Sequence, residues 1–441
     1  MELKGRKVAV LGAGGSGLAA AALALQCGAS VQAFDSGDPA KLAGGVESFS
    51  RLGVELVCGD DALIPPNKFD VTVISPGIDA RWPIAVAFAG VSDELIGEIE
   101  LAYRFSNGSI IAITGTNGKT TTTALVSEML KSSGISSIAA GNIGLPFSEV
   151  VTSGERYDWI VLELSSFQLE TVSQFKPDVA VWMNFAPDHM DRYESVEDYR
   201  QAKMRIFENL RSSDTSILKL EDGISVPSAA VTFSAFETGG DFSYSDGYIT
   251  HEASGRRFNF AECELHGKHN AENVMVALAV ADKVGLDWDD ARTAITSYKA
   301  PAHRCEKIAE VEGVVYINDS KATNLHALES ALAGQETPAV LIVGGKDKGL
   351  DYSEVAEAVA AGAKYAICIG EIGEEISKAW LHVVDCSVCG DLESAIDAAR
   401  RIAEPGDSVL FSPGTSSFDM FSSYVERGDA FRKAVLDLSE A

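Results

Sequence analysis

Lys119 and Thr120 stand directly after a Gly-rich turn, and their types and spacing point to phosphate chemistry. An apolar, β-rich run, Ile110–Ile113, leads into Gly115-Thr116-Asn117-Gly118, and a helix opens near Lys119. Such a turn presents backbone N–H groups to an anion, and the helix N-terminus adds partial positive charge. Lys119 can reach the β/γ-phosphates of a nucleoside triphosphate, and the Thr120 hydroxyl can ligate Mg²⁺. The loop is tighter than the usual G-x-x-x-x-G-K-[ST], because Ile113 occupies the place of that pattern's first glycine. Strand, turn, lysine and hydroxyl still follow in the required order, which favours a nucleotide site over a plain turn with a surface lysine.

Other strand ends carry candidates. Asn142, in Gly141-Asn142-Ile143-Gly144, offers an amide to a phosphate or sugar, or simply makes a turn. Glu163 ends the apolar run Trp159–Leu162; a carboxylate there suits Mg²⁺, with helix capping as the alternative. Asn184-Phe185-Ala186-Pro187-Asp188-His189-Met190-Asp191-Arg192 ends another strand, and His189 there suits a metal or a phosphate. Lys203, read from its neighbours alone, is a solvated helix lysine.

Near the start, Gly12-Ala13-Gly14-Gly15-Ser16-Gly17 lies between a strand and a helix, with Asp35 ending the next strand. Alone this is a dinucleotide fingerprint, and an NAD-dependent dehydrogenase is its obvious reading. The glycines require close strand–helix packing and leave room for a nucleotide without saying which one.

The elements that must position these residues read as successive α/β units. Strands are expected at 7–11, 30–34, 54–57 and 70–75, with helices at 16–28, 39–52 and 93–104. After the phosphate loop come strands near 136–140, 158–163 and 178–183 and a helix near 196–209, then antiparallel strands within 215–265 and helices near 269–284 and 288–297. Pro301 marks a boundary. Beyond it, strands at 314–318, 338–343, 364–369 and 407–412 alternate with helices. Three of these last strands end in polar clusters, at Asn318–Asn324, Gly344–Gly349 and Ser412–Asp419, where open α/β sheets bind ligands. His303-Arg304 offers cationic donors just past the boundary.

The fold class is therefore α/β in three domains. A Rossmann-like domain spans 1–98, a central P-loop-type ATPase domain spans 99–300, and a Rossmann-like domain spans 301–441. The central sheet is expected to be mainly parallel with a small antiparallel sheet. The formal charge of −28 over 441 residues argues against nucleic-acid or anionic-membrane partners. The seven scattered cysteines argue against a disulfide scaffold, and the lone pair Cys386/Cys389 reads as strand or loop cysteines. No apolar run is long enough to insert in a membrane and no export leader is evident, so the expected location is the cytoplasm.

Assembled in this order, the residues resemble the Mur ligases of peptidoglycan synthesis over essentially the whole chain. The Gly115–Thr120 loop is similar to that of the wider superfamily, which includes folylpolyglutamate synthase. Asn318-Asp319-Ser320-Lys321-Ala322-Thr323-Asn324 is similar to the D-glutamate-adding subgroup, since its sisters carry a His-containing motif there. Tyr424 stands where that subgroup more often has Phe, and Gly414-Thr415-Ser416 where it commonly has Ala-Cys-Ala.

The resemblance implies an ATP-dependent amide-forming ligase that joins D-glutamate to UDP-N-acetylmuramoyl-L-alanine through an acyl phosphate, as a cytoplasmic monomer. It implies that Gly15, Ser16, Asp35 and Ser36 lie near uridine rather than NAD, with Ser75, Gly77 and Asn142 near the diphosphate and sugar. It implies that Gly115, Thr116, Asn117, Gly118, Lys119, Thr120 and Thr121 hold ATP, with Asn273, His303, Arg304 and Asp319 on the adenosine and phosphate side. Lys321, Thr323, Lys348, Ser417 and Tyr424 would surround D-glutamate. Lys119, His189 and Lys203 would be catalytic. Thr120, Glu163, His189 and Lys203 would hold Mg²⁺, two ions in all, with Lys203 carbamylated by CO₂; for Lys203 this reverses the reading from its neighbours. Three alternatives stand beside this one. A different Mur or folate-type ligase is told apart by amino-acid selectivity, and an NAD-binding protein by tight NAD(H) binding to residues 1–98. A non-catalytic nucleotide scaffold would leave Glu163, His189 and Lys203 without a role.

Overall fold

A computed structural model describes residues 2–190, 192–299, 302–335 and 337–440. The boundary expected at Pro301 and the residue Asp191 lie outside the described residues. The chain divides into two compact units. One comprises Met1–Ser243, His251–Gly255 and Asn273–Ile295; the other comprises Tyr244–Thr250, Arg256–Glu272 and Thr296–Ala441.

The first unit opens with β1 (Lys7–Leu11), β2 (Ser30–Asp35), β3 (Leu56–Cys58), β4 (Phe69–Ile74) and β5 (Ser92–Gly97). They form a parallel sheet in the order β3-β2-β1-β4-β5. The order reverses direction at β1, and Leu11 is level with both Phe34 and Ile74. The loops after β1, β2 and β4 therefore meet at one edge, the place where such sheets bind nucleotides. The helix expected over 93–104 is a correction. Its first part is β5, because Leu95 and Ile96 pair with Thr72 and Val73 of β4, and the helix itself is Glu98–Phe105. A helix that the sequence reading missed, Pro83–Ala89, carries its signal in the proline at its first position.

The larger sheet of this unit is built from β6 (Ser109–Thr114), β7 (Ser137–Gly141), β8 (Trp159–Glu163), β9 (Val179–Trp182), β10 (Thr215–Lys219) and β11 (Ala229–Ser234). Its order is β11-β10-β9-β6-β8-β7, and all pairs are parallel. The central strands β6, β8 and β9 are apolar on both faces, as helices packed on both sides demand. The antiparallel expectation for 215–265 is thus corrected in its first half. Next come β12 (Phe242–Ser245), parallel to β11, then β13 (Tyr248–His251) and β14 (Arg256–Asn259). Asp246 and Gly247, both with positive φ, make a two-residue turn between β12 and β13, and such a turn joins only antiparallel strands.

Helix Glu98–Phe105 ties the two sheets together and packs on helices Gly15–Gln26 and Phe147–Thr152. Two buried acids fix it. Both oxygens of Glu100 accept backbone N–H groups of Ser173–Phe175. One Glu98 oxygen accepts the Ser148 N–H at 2.5 Å, and the other is buried with no hydrogen-bond partner among the described residues. Burial pushes the Glu98 carboxyl up from 4.5 to about 6. A carboxyl raised on folding supports the fold below its unfolded pKa, and that support is lost as pH rises through the folded value. Glu98→Gln keeps the acceptor and removes the charge. It is expected to stabilise the protein by about 1–2 kcal/mol near pH 8, and by far less near pH 5. Denaturant midpoints at the two pH values measure this; an equal gain at both would refute the account.

The second unit has β15 (Glu306–Val311), β16 (Val314–Asn318), β17 (Ala339–Gly344), β18 (Ala363–Ile369), β19 (Cys386–Val388) and β20 (Ser408–Phe411). The order is β15-β16-β20-β17-β18-β19, with only β15 antiparallel. The sequence reading missed β15. Its one clear signal is the tight turn Glu312-Gly313, again with two positive φ angles. The register puts Asn318 level with Phe411, and Ile342 of β17 pairs with the same Phe411, so the loops after β16, β17 and β20 emerge side by side. All seven cysteines are free.

Candidate active site

In the first unit, Ile113 of β6 is level with Glu163 of β8, Glu163 with Gly141 of β7, and Thr114 with Trp182 of β9. Four strand ends therefore converge around the turn Gly115–Gly118. The turn needs its glycines. Gly115 has φ 150°, and a Cβ there would lie 2.7 Å from Met183 Cβ; Gly118 has φ 80°, and a Cβ there would lie 2.7 Å from Asn273 Oδ1. Asn273 is buried and its Oδ1 accepts the Thr122 hydroxyl, so it lies against the first turn of helix Lys119–Ser132.

The segment after β9 braces the turn. Thr116 N–H donates to Asn184 O, and the Asn184 amide side chain both accepts from Asn117 N–H at 2.8 Å and donates to Asn117 O at 3.1 Å. The Thr116 hydroxyl donates to Ala186 O and accepts from Ala186 N–H. In the sequence Asn184 stands only at the start of a polar run; its position two residues past the end of β9 is the available signal.

Two lysines approach one carbonyl. Lys119 Nζ donates to Gly115 O at 2.9 Å and to Thr116 O at 2.7 Å, while Lys203 Nζ donates to Gly115 O at 2.7 Å. Lys203 is 2% exposed, which corrects its reading as a solvated lysine. Helix Val196–Met204 turns Tyr199, Ala202 and Lys203 inward, and the Lys203 ammonium lies 4.6 Å from the centre of the Tyr199 ring. Burial first, and then the Lys119 charge, push the Lys203 amine well below its ordinary 10.5, against the opposing pull of Asp188 and Glu163.

Glu163 is 2% exposed. One of its oxygens accepts the Asn142 amide at 2.8 Å, and the other is buried with no hydrogen-bond partner among the described residues. The capping alternative falls, because Ser165 caps the following helix in a capping box with Gln168. Asn142 is thereby more than a turn residue. His189 has φ 58°, packs 4.8 Å from the Phe167 ring, and has Asp188 beside it at 3.7 Å. Among the described residues no three His, Cys, Asp or Glu side chains converge to hold a metal. Mg²⁺ needs no such cage, since it takes one or two carboxylates with substrate phosphates and water. The unpartnered Glu163 oxygen beside the phosphate turn, with the Thr120 hydroxyl at the helix start, fits that mode of binding.

At the edge of the first sheet, both Asp35 oxygens accept backbone N–H groups, from Ala13 and Gly37, each at 2.8 Å. Gly15 and Ser36 are exposed there and Ser16 is half-buried. A Cβ on Gly12 would lie 2.5 Å from Ser75 Oγ, so the glycine lets the loops after β1 and β4 touch, and Gly77 is exposed beyond them.

Within the second unit, Asp319 accepts the Ser412 hydroxyl at 2.8 Å and the Cys305 N–H at 3.2 Å. Burial pushes its carboxyl up to about 7, with those donors and Arg304 opposing. His303 and Cys305 flank Arg304 with φ of 65° and 44°, and His189 holds 58°; among the described residues, three of the five non-glycine residues with positive φ thus lie at or beside candidate sites. Lys321 Nζ lies 3.8 Å over the Tyr424 ring, Lys348 Nζ donates to Thr323 O, and Ser417 is buried at the end of the β20 loop. Arg427, absent from the sequence reading, is fully buried and bonds Ser320 and Thr415 O.

Comparison with known proteins places this geometry. The Mur ligase middle domain matches residues 113–281, and the Mur ligase glutamate ligase domain matches 303–414. The UDP-N-acetylmuramoylalanine–D-glutamate ligase of Geobacter metallireducens is 40% identical over 444 residues, covering 99% of this chain and 98% of that protein. Two solved structures share the fold at low identity. The UDP-N-acetylmuramate–alanine ligase of Thermotoga maritima aligns at 18% identity over 98% of this chain and 99% of its own, with a TM-score of 0.59. The MurF ligase of the same organism, solved with ADP, aligns at 17% over 86% of this chain and 99% of its own, with a TM-score of 0.60.

Proposed function

The chain belongs to the Mur ligase family, and from that premise we propose that it joins D-glutamate to UDP-N-acetylmuramoyl-L-alanine with ATP, through an acyl phosphate. One observation carries the chemistry: the Lys119 and Lys203 amines meet at the carbonyl of a phosphate-binding turn, beside a strand end that offers a buried, unpartnered carboxylate oxygen.

Residues Gly115–Thr121, with Asn273, hold the ATP phosphates through backbone N–H groups and the Lys119 ammonium. Lys119 neutralises charge as the γ-phosphoryl group moves to the acceptor carboxylate, which by itself is anionic and lacks a leaving group. Thr120, Glu163, His189 and a Lys203 carbamate hold Mg²⁺, two ions in this reading, whose chemistry is to offset phosphate charge. The lowered Lys203 amine supports the carbamate. The ammonium first gives up a proton; the neutral amine then adds to CO₂, forming an N–C bond and releasing a second proton to water, so it becomes a carboxylate-like anion. Ser75, Gly77 and Asn142 take the diphosphate and sugar, and Gly15, Ser16, Asp35 and Ser36 the uridine. Arg304, His303 and Asp319 serve the adenosine and phosphate side of the nucleotide. Lys321, Thr323, Lys348, Ser417 and Tyr424 receive D-glutamate, whose amine displaces phosphate. The three domains of this reading are 1–98, 99–300 and 301–441, in a cytoplasmic monomer. Among the described residues no helix is long and apolar enough to cross a membrane.

The test is phosphate release from ATP and Mg²⁺ with UDP-N-acetylmuramoyl-L-alanine, adding D-glutamate, L-glutamate, L-lysine or nothing. Release with D-glutamate alone is expected. Release with another amino acid instead would transfer the chain to a sister ligase.

A further inference from the structure

Arg192 lies at the far end of the polar segment whose start, Asn184, braces the phosphate turn. Its side chain is 11% exposed. Nη1 donates to Pro76 O at 2.9 Å, and Nη2 donates to Glu170 Oε2 at 2.5 Å while standing 3.5 Å from Ile78 O. The guanidinium lies 4.1 Å over the Phe167 ring, whose own neighbour is His189. Around it the charges are matched. Asp79 lies 3.8 Å from Nε and is chelated by Arg81, which also donates to Arg192 O, and the free oxygen of Glu170 accepts the Tyr193 hydroxyl at 2.6 Å.

One planar fork thus joins the loop after β4 to the segment after β9. Loops are otherwise the most mobile parts of such a sheet edge. A guanidinium presents several donors in fixed directions at once, which a lysine ammonium does not.

We propose that Arg192 is a positioning residue that sets the Ser75–Ile78 loop, and with it the acceptor substrate's diphosphate, in register with the phosphate turn and His189. The inference rests on the reading of those loops given above. Among the described residues, the Arg192 side chain bonds Pro76, Ile78 and Glu170 and stacks on Phe167, none of them in the phosphate turn or assigned to ATP. Its loss therefore loosens acceptor binding and leaves nucleotide binding in place.

The experiment is phosphate release by wild type, Arg192→Met and Arg192→Lys, titrating UDP-N-acetylmuramoyl-L-alanine and ATP separately. Methionine keeps the apolar cover on Phe167 without donors, and lysine keeps the charge with one point of contact. Arg192→Met is expected to raise the acceptor KM about 10- to 100-fold, which is what losing one charged hydrogen bond costs, with the ATP KM changed less than about 3-fold. Arg192→Lys is expected between the two enzymes, and it carries the test alone if the methionine variant does not fold. Equal shifts in both KM values, or none in either, overturn the inference while an active wild type leaves the functional reading standing. A wild type that releases no phosphate with this acceptor overturns both.

Discussion

Lys119→Ala is expected to lower kcat/KM for ATP by about a thousandfold or more, with little change in melting temperature. The lysine sits at the mouth of the turn with its ammonium folded onto Gly115 O and Thr116 O. A bound triphosphate would offer that ammonium a stronger partner than either carbonyl. Removing the side chain does not strip the turn of its support. Gly115 O keeps Lys203, and the braces from Asn184 and Ala186 remain. A second effect follows from the shared carbonyl. Lys119 helps push the Lys203 amine below its ordinary pKa, and a carbamate there would gain a neighbouring cation. Loss of Lys119 therefore also reduces carbamate occupancy. Steady-state phosphate release measures the first effect, and carbon-13 NMR with labelled bicarbonate measures the second. A variant within about tenfold of wild type would remove Lys119 from the chemistry.

The parts of the site that could be read in the sequence are those whose signal is local. Gly115–Thr120 announces itself because strand, turn, lysine and hydroxyl are contiguous, and Glu163 because it ends an apolar run. What escaped depends on partners distant in the chain. Lys203 belongs to a polar-looking helix, and only the packing of that helix on a turn 88 residues earlier makes it a buried amine. Arg192 is merely the last residue of the polar run that begins at Asn184 until its partner Pro76, 116 residues away, is in place. The same holds for secondary structure. β5 resembles the start of a helix in the sequence because Asp93 and Glu94 mask its alternation, and β15 gives little strand signal because it is a polar edge strand paired on one side. β10 and β11 lack the continuous apolar runs of central strands, which hides the parallel pairing of β10 with β9 and of β11 with β10.

Lys203→Met separates function from stability at the other lysine. In this reading the variant loses the carbamate and with it about three or more orders of magnitude in activity. Its fold, in contrast, should gain. The sign follows from the titration. The folded-state value of Lys203 lies below the ordinary 10.5, so between the two values the unfolded chain binds more protons than the folded one. Stability of the wild type therefore rises with pH across that window, and the cost of burying the lysine is largest below it. Methionine fills similar volume beside Tyr199 without a charge, so the variant should be more stable by at least about 1 kcal/mol near neutral pH. The advantage should close as pH approaches 10.5. The wild type adds a further check, because converting its amine to a carbamate removes the same cation. Bicarbonate should raise the wild-type melting temperature and leave that of Lys203→Met unmoved. Were bicarbonate to shift both proteins equally, the gain would come from a general salt effect and the carbamate would have no support. In this reading a buried lysine that weakens the fold is accounted for by the carbamate it would form, because burial lowers its pKa and so favours the neutral amine that adds CO₂.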